Sequence, residues 1–162
     1  MKHLRLDIDI DAPAEEVFRA ITDWQGQDEW MLGTRVAPVG GAAHELGGRI
    51  EAWTGAGRVG FLDTMVITVW EPPSRVVVEH TGAVVRGSGA FEVKPRGPDA
   101  CTFVWSEEIV PPMGRLGQLG WPVVRPFFGD GVRRSLVAFK RLVESGRWSD
   151  GEAGHAAGTD SG

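Results

Sequence analysis

Three residues able to move protons stand in stretches that otherwise read as apolar strands. In the stretch 100–110, Cys101, Phe103, Trp105, Glu107 and Ile109 share one face. In the stretch 59–70, Phe61, Asp63, Met65, Ile67 and Val69 do the same. In the stretch 75–82, Val76, Val78 and His80 line up. A carboxyl group withdrawn from water holds its proton more readily, which suits a general acid or base. Glu107, His80 and Asp63 are therefore the candidate catalytic groups. A plainer account fits the same letters. Glu107 and Asp63 would lie at frayed strand ends, in water or paired with an arginine. His80 would be a hydrogen-bonded core or edge histidine, because charged residues are rarely fully buried unless paired. Facing decides between the two accounts. A slip of one residue exchanges Glu107 for Glu108 and Trp105 for Ser106 on the inner face.

Other motifs carry less chemistry. Gly55-Ala56-Gly57-Arg58-Val59-Gly60 matches G-x-G-x-x-G. A dinucleotide fingerprint needs a helix next, and Phe61 to Trp70 is rich in β-branched residues instead. The segment reads as a hairpin loop flanking a cavity mouth. Gly87-Ser88-Gly89 is no nucleophile elbow, since Arg86 stands where a glycine is required. These glycines mark a bulge or bend in a curved strand. His3, His44, His80 and His155 lack metal-ligand spacing, and Cys101 has no neighbour to share a metal. We expect no metal and no cofactor.

The elements that must hold these residues follow from periodicity. Leu4, Leu6, Ile8 and Ile10 alternate as a half-buried strand. Asp11-Ala12-Pro13-Ala14-Glu15-Glu16 starts a helix, with Asp11 able to cap and Pro13 suited to the first turn. A second short helical turn ends at Trp30. Strands are expected at 34–39, 48–54, 59–70, 75–82, 84–94 and 100–110, separated by glycine and proline turns. That pattern is an antiparallel meander. Beyond Pro111-Pro112, Val132, Leu136, Phe139 and Val143 recur at helical spacing. One helical region covers about 116–145, kinked in its first half by Gly120, Pro122, Pro126, Gly129 and Gly131. Residues 146–162 hold little apolar content beyond Trp148 and read as a disordered tail after a ligand-binding domain at 1–145.

One strand, two short helices, six strands and a long helix is the order of the helix-grip fold. The chain resembles the START-like (SRPBCC) superfamily, of the polyketide cyclase/dehydrase and lipid-transport type. The resemblance rests on Ala12-Pro13-Ala14-Glu15-Glu16-Val17-Phe18, on Asp23-Trp24 and Trp30, and on Val66 to Pro73 with Arg75 to Val78. Gly89 to Val93, Thr102 to Trp105 and the Leu136–Val143 helix complete it. It implies an α+β fold: a curved antiparallel seven-stranded sheet around the C-terminal helix, with a cavity between them for a hydrophobic ligand. It implies no shared catalytic motif, so no catalytic residue is carried over from it. The aromatics on strands and helix suit a largely apolar pocket with few polar anchors. Trp53, Phe61, Met65, Phe91, Phe103, Trp105, Trp121 and Phe127 are the candidate ligand-binding residues. Gly87 and Gly89 on a strand and Gly129 and Gly131 on the helix remove volume, and leave space if those faces meet. Pro111-Pro112-Met113-Gly114 and Gly40-Gly41-Ala42-Ala43 are candidate lips of the mouth.

Composition narrows the field of functions. The chain has 162 residues, enough for one domain with its own core. Its apolar fraction of 42% and charged fraction of 24% are those of a globular domain. With 17 basic and 22 acidic residues the net charge is −5, which leaves no basic footprint for nucleic acid. The single cysteine excludes an intrachain disulfide and fits a reducing compartment. No apolar run is long enough to span a membrane, and the charged, alternating N-terminus lacks a signal-peptide core. We expect a cytoplasmic protein. Three functions stay open: a module binding a small hydrophobic molecule (a lipid, polyketide or similar compound), a cyclase or dehydratase using the cavity carboxylate or histidine, and a partner-binding protein, for instance a homodimer.

Overall fold

The computed structural model describes residues 2–41, 43–110 and 115–148, the side chains of 115–127 excepted. Its order is β1 (Lys2–Ile10), α1 (Ala14–Thr22), a 3₁₀ turn (Gln25–Glu29), β2 (Thr34–Val39), β3 (Arg49–Ala56), β4 (Val59–Glu71), β5 (Arg75–His80), β6 (Arg86–Pro95), β7 (Cys101–Val110) and α2 (Arg115–Glu144). The seven strands form one antiparallel sheet in the order β1-β7-β6-β5-β4-β3-β2. Only β1 leaves the sequential meander. The helical segments after it carry the chain to the far edge of the sheet, so β1 closes against β7. This is the helix-grip architecture that the element order implies.

Alternation decides the strands. In β1, exposed residues alternate with half-buried ones up to the fully buried Ile10. Its partner β7 buries Cys101, Phe103, Trp105 and Glu107 on alternate positions. The β3–β4 hairpin closes tightly, pairing Gly55 with Gly60 and Ala56 with Val59. Gly57 turns with φ +61°, a conformation that glycine adopts without strain. The GxGxxG segment is thus the tip of a hairpin.

Helix α1 buries Val17, Phe18, Ala20 and Ile21. Its N-cap is Pro13, with no side-chain cap. Asp11, the expected cap, instead donates its backbone N–H to Glu144 Oε1 over 2.9 Å. The Lys140 ammonium bonds the same Glu144 oxygen at 2.7 Å and the Asp9 carbonyl at 2.6 Å. The hydrogen bond from Asp11, then Lys140, hold the Glu144 carboxyl below its usual pKa. These contacts pin the end of α2 to the end of β1.

The core lies between sheet and α2, with Trp30 at its centre, 1% exposed. The Trp30 ring centroid is 4.8 Å from Phe139 on α2, 6.4 Å from Phe103 and 6.1 Å from Trp105 on β7, and 6.5 Å from Phe91 on β6. One side chain following the 3₁₀ turn therefore joins helix to sheet.

Several expectations shift. The irregular register lies between Ile67 and Val69 in β4, not at Gly87–Gly89, whose pairing is regular. The α2 backbone runs as one helix through Gly120, Pro122 and Pro126. Packing extends past 145: Trp148 is buried, with the Arg19 guanidinium 5.4 Å from its ring centroid. Residues 149–162 and the lip at 111–114 lie outside the described residues.

Candidate functional site

The concave face of the sheet brings the three candidate groups together. Asp63 comes from β4, His80 from β5 and Glu107 from β7. His80 Nδ1 lies 2.6 Å from Asp63 Oδ2, and His80 Nε2 lies 3.3 Å from Glu107 Oε2. The Trp105 indole N–H donates to the other Glu107 oxygen, Oε1, at 2.7 Å. Side-chain exposure is 9% for His80, 7% for Asp63 and 11% for Glu107.

His80 and Glu107 are not on adjacent strands. β6 runs between them, and neighbouring strands lie about 5 Å apart, so the His80 and Glu107 side chains together bridge roughly 10 Å of sheet. The register explains how. His80 pairs with Gly87, and Glu107 pairs with Gly89. At Gly89, β6 has no side chain to intervene. A Cβ on Gly89 would stand 3.0 Å from both Glu107 carboxylate oxygens. Gly82 clears Asp63 likewise, where a Cβ would stand 3.0 Å from Oδ1. Glycines frame the cluster as surely as its acids do.

Burial on its own lowers the His80 pKa, because it penalises the charged ring. The hydrogen bonds and negative charge of Asp63 and Glu107 overcome this and raise it from 6.5 to about 9. The ring carries its proton at neutral pH. Two carboxylates flanking one imidazolium leave the cluster with one net negative charge.

A cavity of about 330 Å³ opens beside this cluster, between the sheet and α2. Its walls include Ile50, Met65, Val78, Phe91 and Trp105 from the strands and Val132 from α2. Gly89 and Gly131 both line it, so one glycine of the strand and one of the helix share this space, whereas Gly87 and Gly129 are not among its lining residues. The backbone N–H of Leu32 donates to Ser135 Oγ at 3.1 Å, tying the loop before β2 to α2.

Of the candidate ligand-binding residues, Phe61, Met65, Phe91 and Trp105 line the cavity. Trp53 does not. It stands on the opposite face of β3 from the lining residues Ala52 and Thr54, with the Arg35 guanidinium 5.6 Å from its ring centroid. Phe103 is fully buried against Trp30, Phe91 and Phe139 and forms core rather than cavity wall. The side chains of Trp121 and Phe127 lie outside the described residues. The candidate lip at Gly40–Ala43 is not among the described lining residues, and the Ala43 carbonyl accepts the Trp24 indole N–H instead. Sequence reasoning passed over Trp24, Gln27 and Ser135 as lining residues. Their signal was weak, since each reads as an ordinary core or helix residue. No group of acidic, histidine or cysteine side chains suited to a metal ion occurs among the described residues.

The family description polyketide cyclase / dehydrase and lipid transport matches residues 1–144. The chain belongs to this family. No curated protein matches it significantly. Solved structures do share its fold. The aromatase/cyclase Zhui from a Streptomyces species is similar over 90% of this chain and 94% of its own, with a TM-score of 0.73 at 14% identity. TTHA0849 from Thermus thermophilus is similar over 89% of this chain and 98% of its own, with a TM-score of 0.71 at 19% identity. The di-domain ARO/CYC protein BexL, of the BE-7585A biosynthetic pathway, has a TM-score of 0.68 at 23% identity over 89% of this chain. The chain spans 47% of BexL's length. No described helix of this family member is long and apolar enough to cross a membrane.

Proposed function

We propose that this chain binds one compact, mostly apolar molecule between sheet and α2, with the molecule's polar end at Asp63, His80 and Glu107. The observation that carries this reading is the cavity itself, apolar along its walls and charged at one end. Its volume is at the small end of ligand cavities, which suits a single ring system better than a two-chain lipid. Titration with a fused-ring aromatic, followed by tryptophan fluorescence, tests it, because Trp24 and Trp105 line the space. Saturable quenching in the native chain, lost in a variant whose cavity is filled, is the expected result. Quenching unchanged by filling overturns it. Native mass spectrometry of protein from its own host would then identify what it carries.

The charged cluster favours a second reading, proton transfer on the bound molecule, of the kind a polyketide cyclase or dehydratase performs. Buried charge is costly and a poor source of stability, so a buried cluster at a cavity end points to chemistry. A carboxylate of the cluster accepts a proton from carbon next to a ligand carbonyl. His80 lies between the two acids and redistributes charge as that proton arrives. The cavity walls hold the chain near the base, and proximity supplies much of the effect. Deuterium uptake at the methyl group of 2-acetylnaphthalene, followed by NMR, reports this step. Acceleration over buffer, lost in Asp63→Asn and Glu107→Gln, is expected. Binding without acceleration leaves the first reading alone. A cytoplasmic location belongs to the same proposal, supported by a buried free thiol at Cys101.

A further inference from the structure

We infer that the molecule meeting this cluster presents a hydrogen-bond donor, such as a phenol or alcohol hydroxyl, and that molecules ending in carboxylate or phosphate are excluded. The inference rests on the cavity-binding reading and extends it to the chemical class of the ligand.

A census of hydrogens carries the argument. The cluster's donors are spent internally. One imidazole nitrogen faces Asp63, the other faces Glu107, and the Trp105 N–H is given to Glu107. Moving the shared proton from His80 to Glu107 changes nothing, since it still lies between the two. What remains at this end are acceptor lone pairs. Asp63 Oδ1 is buried and has no partner. The cluster meets the cavity through carboxylate oxygens, so a polar group docking at this end stabilises the complex only by donating.

Charge points the same way. The lining among the described residues holds two carboxylates and one histidine, and no lysine or arginine. An anionic ligand end would meet one net negative charge in an apolar space, with no cation to offset it. Of the other side-chain N–H groups of the lining, the Trp24 indole and one of the two Gln27 amide hydrogens are also engaged. The Trp24 indole bonds the Ala43 carbonyl and the Gln27 amide bonds the Ile21 carbonyl. Among the lining hydroxyls, Thr34 and Thr54 bond each other at 3.0 Å and Ser135 accepts the Leu32 N–H, and being neutral none of them offsets the charge of an anion.

The test is competition on the native chain. The aromatic amine 1-aminoanthracene is the fluorescent probe, and 2-naphthol and 2-naphthoate are the competitors, alike in shape and opposite in the property at issue. At neutral pH, 2-naphthol should displace the probe at about tenfold lower concentration than 2-naphthoate, or better. In Asp63→Asn, whose amide can donate, the ratio should narrow. Equal or stronger displacement by 2-naphthoate in the native chain overturns the inference and leaves the cavity reading intact. A probe that does not bind, or that binds a Gly131→Leu variant equally well, overturns the cavity reading and this inference with it.

Discussion

At the scale of single residues, the outcome turns on one imidazole and the two acids that flank it. The proton on His80 is held by charge and hydrogen bonding against burial, at a pKa of about 9 rather than 6.5. The linkage has a definite sign. The folded state binds this proton more tightly than the unfolded chain, so the stabilisation is complete below pH 6.5 and disappears as pH rises through about 9. The contribution is at most about 3 kcal/mol. Urea denaturation across that window should show stability falling in the native chain, with a flatter profile in His80→Gln. Glu107→Gln should keep the Trp105 hydrogen bond, because the amide oxygen can still accept it, while removing one charge. Its His80 pKa, read from the imidazole C–H resonances in NMR, should then drop towards 6.5. An unchanged pKa would mean that Asp63 alone holds the proton.

At the scale of elements, β6 and α2 make the site by what they leave out. Gly89→Ala places a methyl group 3.0 Å from both Glu107 oxygens. The carboxylate must move or the strand must shift. We expect a loss of about 1–3 kcal/mol and a lowered His80 pKa. The control is Ser88→Ala, on the other face of the same strand, which should leave the His80 pKa unchanged. On α2 the opposite holds. A Cβ on Gly131 meets nothing within 4 Å, although the residue lines the cavity. Gly131→Leu should raise stability by about 1 kcal/mol through helix propensity while abolishing binding of aromatic probes. Thermal unfolding and probe fluorescence together check this. Stability and binding falling together would show that the helix does not tolerate the side chain.

At the scale of the whole molecule, sheet, 3₁₀ turn and long helix meet at one tryptophan. Trp30→Ala removes a ring that touches β6, β7 and α2 at once, and should cost about 3–5 kcal/mol. The cavity sits beside this contact, so probe affinity should fall as well. The arrangement also explains why a cavity survives in so small a domain. The aromatic cluster and the Lys140–Glu144 anchor hold the helix at one end, and Gly131 keeps side chains out of the adjoining space.

Much of this was legible in the letters. Period-two alternation located all seven strands to within a few residues, because alternate burial is a local property of a pleated chain. The change to helical spacing after residue 115 marked α2 for the same reason. Alternation put Asp63, His80 and Glu107 each on the more apolar face of its strand, but a slip of one residue would have turned them outward, and only the packed sheet fixes their facing. Nor was their meeting legible. His80 reaches Glu107 across β6 because the register sets Gly89 beside Glu107, where a side chain would crowd the carboxylate, and register joins residues far apart in the chain. The same limit applies to Trp53 and Phe103. Both are aromatic residues on strands, and only the packed sheet puts one on the outer face and the other beneath Trp30. Local sterics and hydrophobic period determined the elements and their order. The distances among side chains from β4, β5 and β7, and the single negative charge they leave in the cavity, were decided by tertiary structure, because a proton's affinity depends on neighbours in space rather than in sequence.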